Sequence, residues 1–214
     1  MLNNIAKAKL QAGFSLVELL IAMTISTATI ASLTSFVAIS GVTSAKFLAK
    51  MRLSEELDTI MSLLTSELRR AGYNGNAHQA ALSLEHSQSV FWQQWQLSHY
   101  AGESMNSCIE FAYDRNNNGR LDTEDGDERY GFRLRDRALE MRQAGSPCES
   151  GGWQDLSDNS FVRVTQLTFR ATTEQLAGLT RFQINISLSA HLHSHPELSI
   201  QRQQTIRVSN YAIF

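Results

Sequence analysis

Residues 14–42, FSLVELLIAMTISTATIASLTSFVAISGV, carry a single ionisable side chain, Glu18. This stretch exceeds the roughly 20 apolar positions that a helix needs to cross a bilayer. Beyond it the pattern changes without a break. Phe47, Leu48, Met51, Leu57, Ile60, Met61, Leu64 and Leu68 recur at steps of three and four, with Lys50, Arg52, Glu55, Glu56, Asp58 and Glu67 between them. That spacing predicts an amphipathic continuation of the helix. No proline interrupts residues 14–71, Arg69 and Arg70 fall in the expected last turn, and Gly72 can follow as the left-handed residue. The prediction is one helix of about 57 residues, ~85 Å at 1.5 Å per residue. Its first half is apolar all round; its second half lies against a globular head.

After Gly72, Tyr73-Asn74-Gly75-Asn76 is a turn cluster, and strand patterns follow. Residues 107–113 alternate. Residues 130–134 and 138–141 suit a hairpin across Asp136 and Arg137. Residues 161–169 and 200–208 are further strands. Phe182, Ile184, Ile186, Leu188, Ala190 and Leu192 alternate with polar neighbours. Residues 82–97, with Trp92 and Trp95, fit neither period. The expected class is α+β: a long N-terminal helix, transmembrane then amphipathic, packed on an antiparallel sheet.

Composition narrows the picture. With 214 residues, 19 Lys+Arg against 21 Asp+Glu and a formal charge of −2, the chain is neither a basic nucleic-acid binder nor an acidic disordered tail. Its length suits one ordinary domain and an extra segment. An ordinary secretory signal pairs a basic start with a short apolar stretch and a small-residue cleavage site. Lys7 and Lys9 supply the start, but the apolar stretch is about twice too long and no such site closes it. A plain signal anchor accounts for everything except Glu18. A carboxylate inside a membrane helix costs on the order of 2.5–3.5 kcal/mol, so it calls for a function.

The segment Gly13-Phe14-Ser15-Leu16-Val17-Glu18-Leu19-Leu20-Ile21-Ala22 resembles the type IV prepilin signature. The resemblance implies that a membrane peptidase cuts between Gly13 and Phe14 on the cytoplasmic side and methylates the new terminus, while the apolar helix is kept. It divides the chain into a leader (1–13), a membrane and filament-core half-helix (14–45), an amphipathic half-helix (46–72) and a periplasmic β-rich head (73–214). Cleavage creates an α-amine at Phe14, largely cationic at neutral pH. Glu18 lies one turn on, and in a filament its carboxylate can pair with the terminal amine of a neighbouring subunit. Only the assembled register then satisfies both charges in hydrocarbon, so Glu18 sets register. Many major pilins carry a proline in the apolar half; here Gly41 is the only comparable weak point.

The helix exit Ser66-Glu67-Leu68-Arg69-Arg70-Ala71-Gly72-Tyr73 resembles the PilW group of minor pilins, as does the pairing of Cys-Ile-Glu-Phe-Ala-Tyr-Asp with Tyr-Gly-Phe-Arg-Leu-Arg. The resemblance implies a minor pilin that helps initiate or cap a type IV pilus. Its expected partners are other minor and major pilins, the prepilin peptidase and the inner-membrane assembly platform. The expected location is the bacterial inner membrane, single-pass with a periplasmic head, and then the pilus. Alternatives are a J-type minor pseudopilin of type II secretion and a membrane-anchored calcium-binding module that never polymerises. A head outside the cytoplasm favours a disulfide between Cys108 and Cys148, the only cysteines.

Residues 114–125 follow the EF-hand loop pattern at most positions. Asp114, Asn116 and Asn118 place side-chain oxygens at loop positions 1, 3 and 5, and Gly119 occupies position 6. Arg120 would give its backbone carbonyl at 7, Asp122 stands at 9, and Asp125 stands at 12, one methylene shorter than the usual glutamate. Closure can pass instead to Glu124 or Asp127. The expected cofactor is Ca2+. The competing reading is a solvated Asn/Asp/Gly hairpin loop. His191, His193 and His195 would share one strand face, opposite the apolar one, and are expected to continue a solvated polar row rather than hold a metal. No P-loop, G-x-G-x-x-G, H-E-x-x-H, G-x-S-x-G or C-x-x-C is present, so no catalytic residues are assigned and an enzyme is not expected.

Overall fold

The computed structural model describes residues 13–78, 89–176 and 179–210, with side chains of 176–181 excepted. The leader assignment rests on residues 1–12, and part of the ambiguous 82–97 stretch on 82–88; both lie outside the described residues. Helix α1 spans Leu16–Leu68. The chain forms two compact units, Met1–Leu48 and Ala49–Phe214.

In the first unit α1 buries almost nothing. Leu20, Ile21, Met23, Ile25, Leu33, Phe36 and Val37 are all exposed. It is the one described helix long and apolar enough to cross a membrane. Its hydroxyls are turned onto the helix itself: Thr24 donates to the carbonyl of Ile21, Thr27 to Thr24, Ser32 to Thr29, Ser35 to Ala31 and Thr43 to Ile39. Each such bond hides a polar group from a medium that has no water to offer.

In the second unit α1 has a buried stripe: Leu53, Leu57, Ile60, Met61, Leu64 and Leu68 are at most 5% exposed. Two antiparallel sheets complete the core. The first has the order β1-β2-β3-β4-β5, from Gln96–Ser98, Cys108–Ala112, Arg129–Arg135, Ala138–Arg142 and Trp153–Asp155. The second is β6-β7-β8, from Val162–Leu176, Leu179–Leu192 and Ser199–Val208. The stripe joins Ile109, Phe111, Phe132 and Leu134 of the first sheet and Leu167, Phe169, Ile184, Ile186 and Leu188 of the second in one hydrophobic cluster. The sequence led to a single sheet. Strand alternation marks which face is apolar, but not which strands pair, and the chain splits its strands between two sheets.

Local chemistry explains several boundaries. Asp136 and Arg137 both take positive φ, 50° and 65°, as a tight two-residue hairpin between β3 and β4 requires. A bulge between Val164 and Gln166 shifts the alternation of β6 by one, so that Val162, Val164, Leu167 and Phe169 all face the core. Residues 107–113 alternate in sequence, and β2 is buried on both faces. Glu110 on its second face is covered by Arg142 at 3.0 Å, both side chains 8% exposed. Trp92–Gln94 is a short 3-10 turn, and Trp92 stacks edge-on with Trp95 and Phe182.

The exit of α1 differs from expectation. The helix stops at Leu68, so Arg69 and Arg70 lie just past its last turn. Gly72 is left-handed (φ 76°), but its N–H donates to the carbonyl of Ala112 on β2 rather than to the helix. A Cβ there would meet the Trp92 ring at 3.0 Å. The Asn210 side-chain amide lies 3.2–3.3 Å from the carbonyls of Arg69, Arg70 and Ala71, and the Arg70 carbonyl also accepts from the Tyr73 N–H.

Candidate functional site

The processing junction stands at the start of α1. Gly13, Phe14 and Ser15 are non-helical and exposed, Phe14 by 91%, and nothing lies within 4 Å of a Cβ placed on Gly13. Ser15 is the N-cap: its Oγ accepts from the Val17 N–H at 3.4 Å. Three residues on, Glu18 Oε2 accepts from the Ser15 N–H at 2.9 Å. The Glu18 bond is the glutamate half of a capping box, whose S-x-x-E spacing stands in the sequence, while the Ser15 hydroxyl meets the N–H of the second helical residue rather than the third.

The asparagine-rich loop follows β2. Asp114, only 2% exposed, accepts the N–H groups of Gly75 (2.9 Å), Asn118 (3.1 Å) and Gly119 (2.8 Å). Asn116 Oδ1 accepts from the Asn118 N–H and Asn118 Oδ1 from the Arg120 N–H. The amides of Asn116 and Asn118 both donate to Asp122 Oδ2, at 2.7 and 2.9 Å. Glu124 and Asp125 are exposed. Asp127 is held by Arg129 at 2.6 Å; burial would raise its pKa, but the Arg129 hydrogen bonds outweigh that and keep it below the usual carboxylate range.

The acid that reaches back into the loop is Glu128. It is fully buried; Oε1 accepts from the Arg115 N–H (2.6 Å) and Oε2 from the Asp122 N–H (3.2 Å). Its position, 14 residues after Asp114, lies outside the twelve-residue loop pattern. Among the described residues no group of three or more His, Cys, Asp and Glu side chains gathers to hold a metal. A cation in this loop would therefore depend on asparagine and backbone oxygens as well. The loop is also tied to the segment after α1: Tyr73 Oη donates to Asn117 Oδ1 and the Asn76 amide to the Asn118 carbonyl.

Cys108 and Cys148 form a disulfide, with Cα atoms 6.3 Å apart. Beside it, Arg133 is fully buried. It pairs with Glu140, donates to the carbonyls of Cys148 and Ser150, and packs between the rings of Tyr100 (5.0 Å) and Trp153 (4.5 Å). At the end of α1, Tyr113 Oη donates to Glu67 at 2.8 Å and stacks on Tyr130 at 4.2 Å. The three histidines do not form one row: β7 ends at Leu192, so His193 and His195 follow in a turn, where the His195 carbonyl accepts from the Leu198 N–H.

Two family models match. One, the prokaryotic N-terminal methylation motif, covers residues 8–34. The other, prepilin peptidase-dependent protein B, covers residues 46–208. The chain is also similar to a protein of that description from Escherichia coli (strain K12), 24% identical over 197 residues, covering 91% of this chain and 94% of the relative. No solved structure matches.

Proposed function

As the chain belongs to the prepilin peptidase-dependent protein B family and is a pilin-like, membrane-anchored protein, we propose that it is a minor pilin. On this reading it is cut between Gly13 and Phe14, methylated at Phe14 and incorporated into a type IV pilus, where it helps initiate or cap the filament. Its partners are other pilins, the prepilin peptidase and the assembly platform of the inner membrane. One observation supports this above the rest: an exposed, non-helical Gly13-Phe14 junction opens directly into a helix whose apolar half carries one carboxylate, Glu18. In the filament that carboxylate pairs with a cationic N-terminal amine and fixes register. The PilW likeness at the helix exit favours a minor subunit, and the J-type pseudopilin reading uses the same helix. A deletion strain separates the two. Loss of sheared surface pili with protein secretion intact fits the minor pilin; lost secretion with normal pili fits the pseudopilin.

For the loop of residues 114–128 we propose calcium. Asp114 and Glu128 are buried carboxylates on one loop, and among the described residues neither has an ion pair to a cationic side chain. Backbone N–H groups alone offset them, and buried charge is costly without a counter-charge. Asp114, Asn116, Asn118, the Arg120 carbonyl and Asp122 would contribute oxygens. Titration calorimetry on the detergent-solubilised chain tests this. Heat that Asp114→Ala and Asn118→Ala abolish supports the site; no heat at millimolar calcium removes it.

A further inference from the structure

We propose that Glu18 has a partner within its own chain before it has one in an assembly: the Ser15–Glu18 capping box holds the carboxylate, and assembly must exchange that bond for one to a cationic amine. The inference rests on the register role proposed above, and adds the state from which that register is reached. Two groups at the start of α1 are costly in hydrocarbon: a lone carboxylate and helix N–H groups with no partner of their own. The structure sets one against the other, with the Ser15 N–H donating to Glu18 Oε2 at 2.9 Å. A free subunit in the membrane then has the carboxylate and the Ser15 N–H paired with each other.

Processing leaves this bond intact. The cut falls between Gly13 and Phe14, and the nitrogen that donates belongs to the Phe14–Ser15 peptide, which stays in the mature chain. The new amine appears one residue away, so cap and amine compete for the same carboxylate. Chemistry separates the two partners. Glutamine fits a capping box as glutamate does, but brings no charge to an amine. Glu18→Gln therefore keeps the cap and loses the register contact, whereas Glu18→Ala loses both.

The test is amide hydrogen exchange by NMR on the full-length chain in detergent micelles, with piliation scored separately in cells. In Glu18→Ala the Ser15 amide should exchange roughly fivefold faster or more, the loss expected for a helix cap. In Glu18→Gln it should stay within about twofold of the parent. An unchanged rate in Glu18→Ala, or a Glu18→Gln rate matching that of Glu18→Ala, overturns the cap. Piliation reads the other half. Impairment by both substitutions fits the exchange of partners. Normal piliation with both, alongside the exchange effect, overturns the register role and the exchange of partners with it, leaving only a local cap.

Discussion

The two halves of α1 solve the same problem in opposite ways. Up to Leu48 the helix is apolar on every side and leaves Leu20, Ile25, Leu33 and Phe36 exposed within its own unit. From Ala49 the apolar positions narrow to one stripe, and that stripe is buried against two sheets of the same chain. A helix that is apolar all round needs a surrounding to bury it; an amphipathic helix needs only the head it already has. The difference shows where a second molecule must enter: lipid or neighbouring helices for the first half, none for the core of the second.

Substitutions can break that contrast. The largest loss is expected from Arg133→Ala, which leaves Glu140 in a buried site without its cation and should destabilise the Ala49–Phe214 unit by about 3–5 kcal/mol in urea denaturation. Next comes a matched pair. Leu64→Ala removes a side chain with no exposed surface and should cost about 3 kcal/mol. Ile30→Ala removes an exposed one from the other half and should leave the unfolding midpoint of the same unit where it was. Equal shifts for the two would erase the distinction between the halves.

A pH profile sharpens the second half further. Burial, and then the hydrogen bond its hydroxyl donates to Glu67, push the Tyr113 pKa well above the ordinary value of 10. A raised pKa means that the folded state holds the proton more tightly than the unfolded one. The stabilisation is complete below about pH 10 and is lost as pH climbs through the folded value. The melting temperature should fall more steeply above about pH 10 in the parent than in Tyr113→Phe. The smallest effect is expected at Asp58–Arg202, where the side chains are 59% and 32% exposed. Arg202→Ala should cost no more than about 1 kcal/mol, and less as salt rises.

Much of this architecture was legible along the chain. The three-and-four spacing of Leu57, Ile60, Met61, Leu64 and Leu68 marks the stripe that is buried, whereas Phe47, Leu48 and Met51 of the same pattern are exposed; Asp136-Arg137 marks the β3–β4 turn. What was not legible depends on distance in sequence. The chain closes the end of α1 with Asn210, about 140 residues away, and no local pattern announces a cap from so far. The division of strands into two sheets is of the same kind, because pairing is set by the whole core. At the candidate sites, the Gly13-Phe14 junction and Glu18 are contiguous and were readable. Glu128 was not, because a buried carboxylate that serves backbone N–H groups carries no spacing rule.

The most direct test of the account is the mass and N-terminal sequence of the chain extracted from membranes. The account predicts a protein that begins at N-methyl-Phe14, with the first 13 residues removed and the apolar helix kept. A mature protein that still begins at Met1 would contradict it.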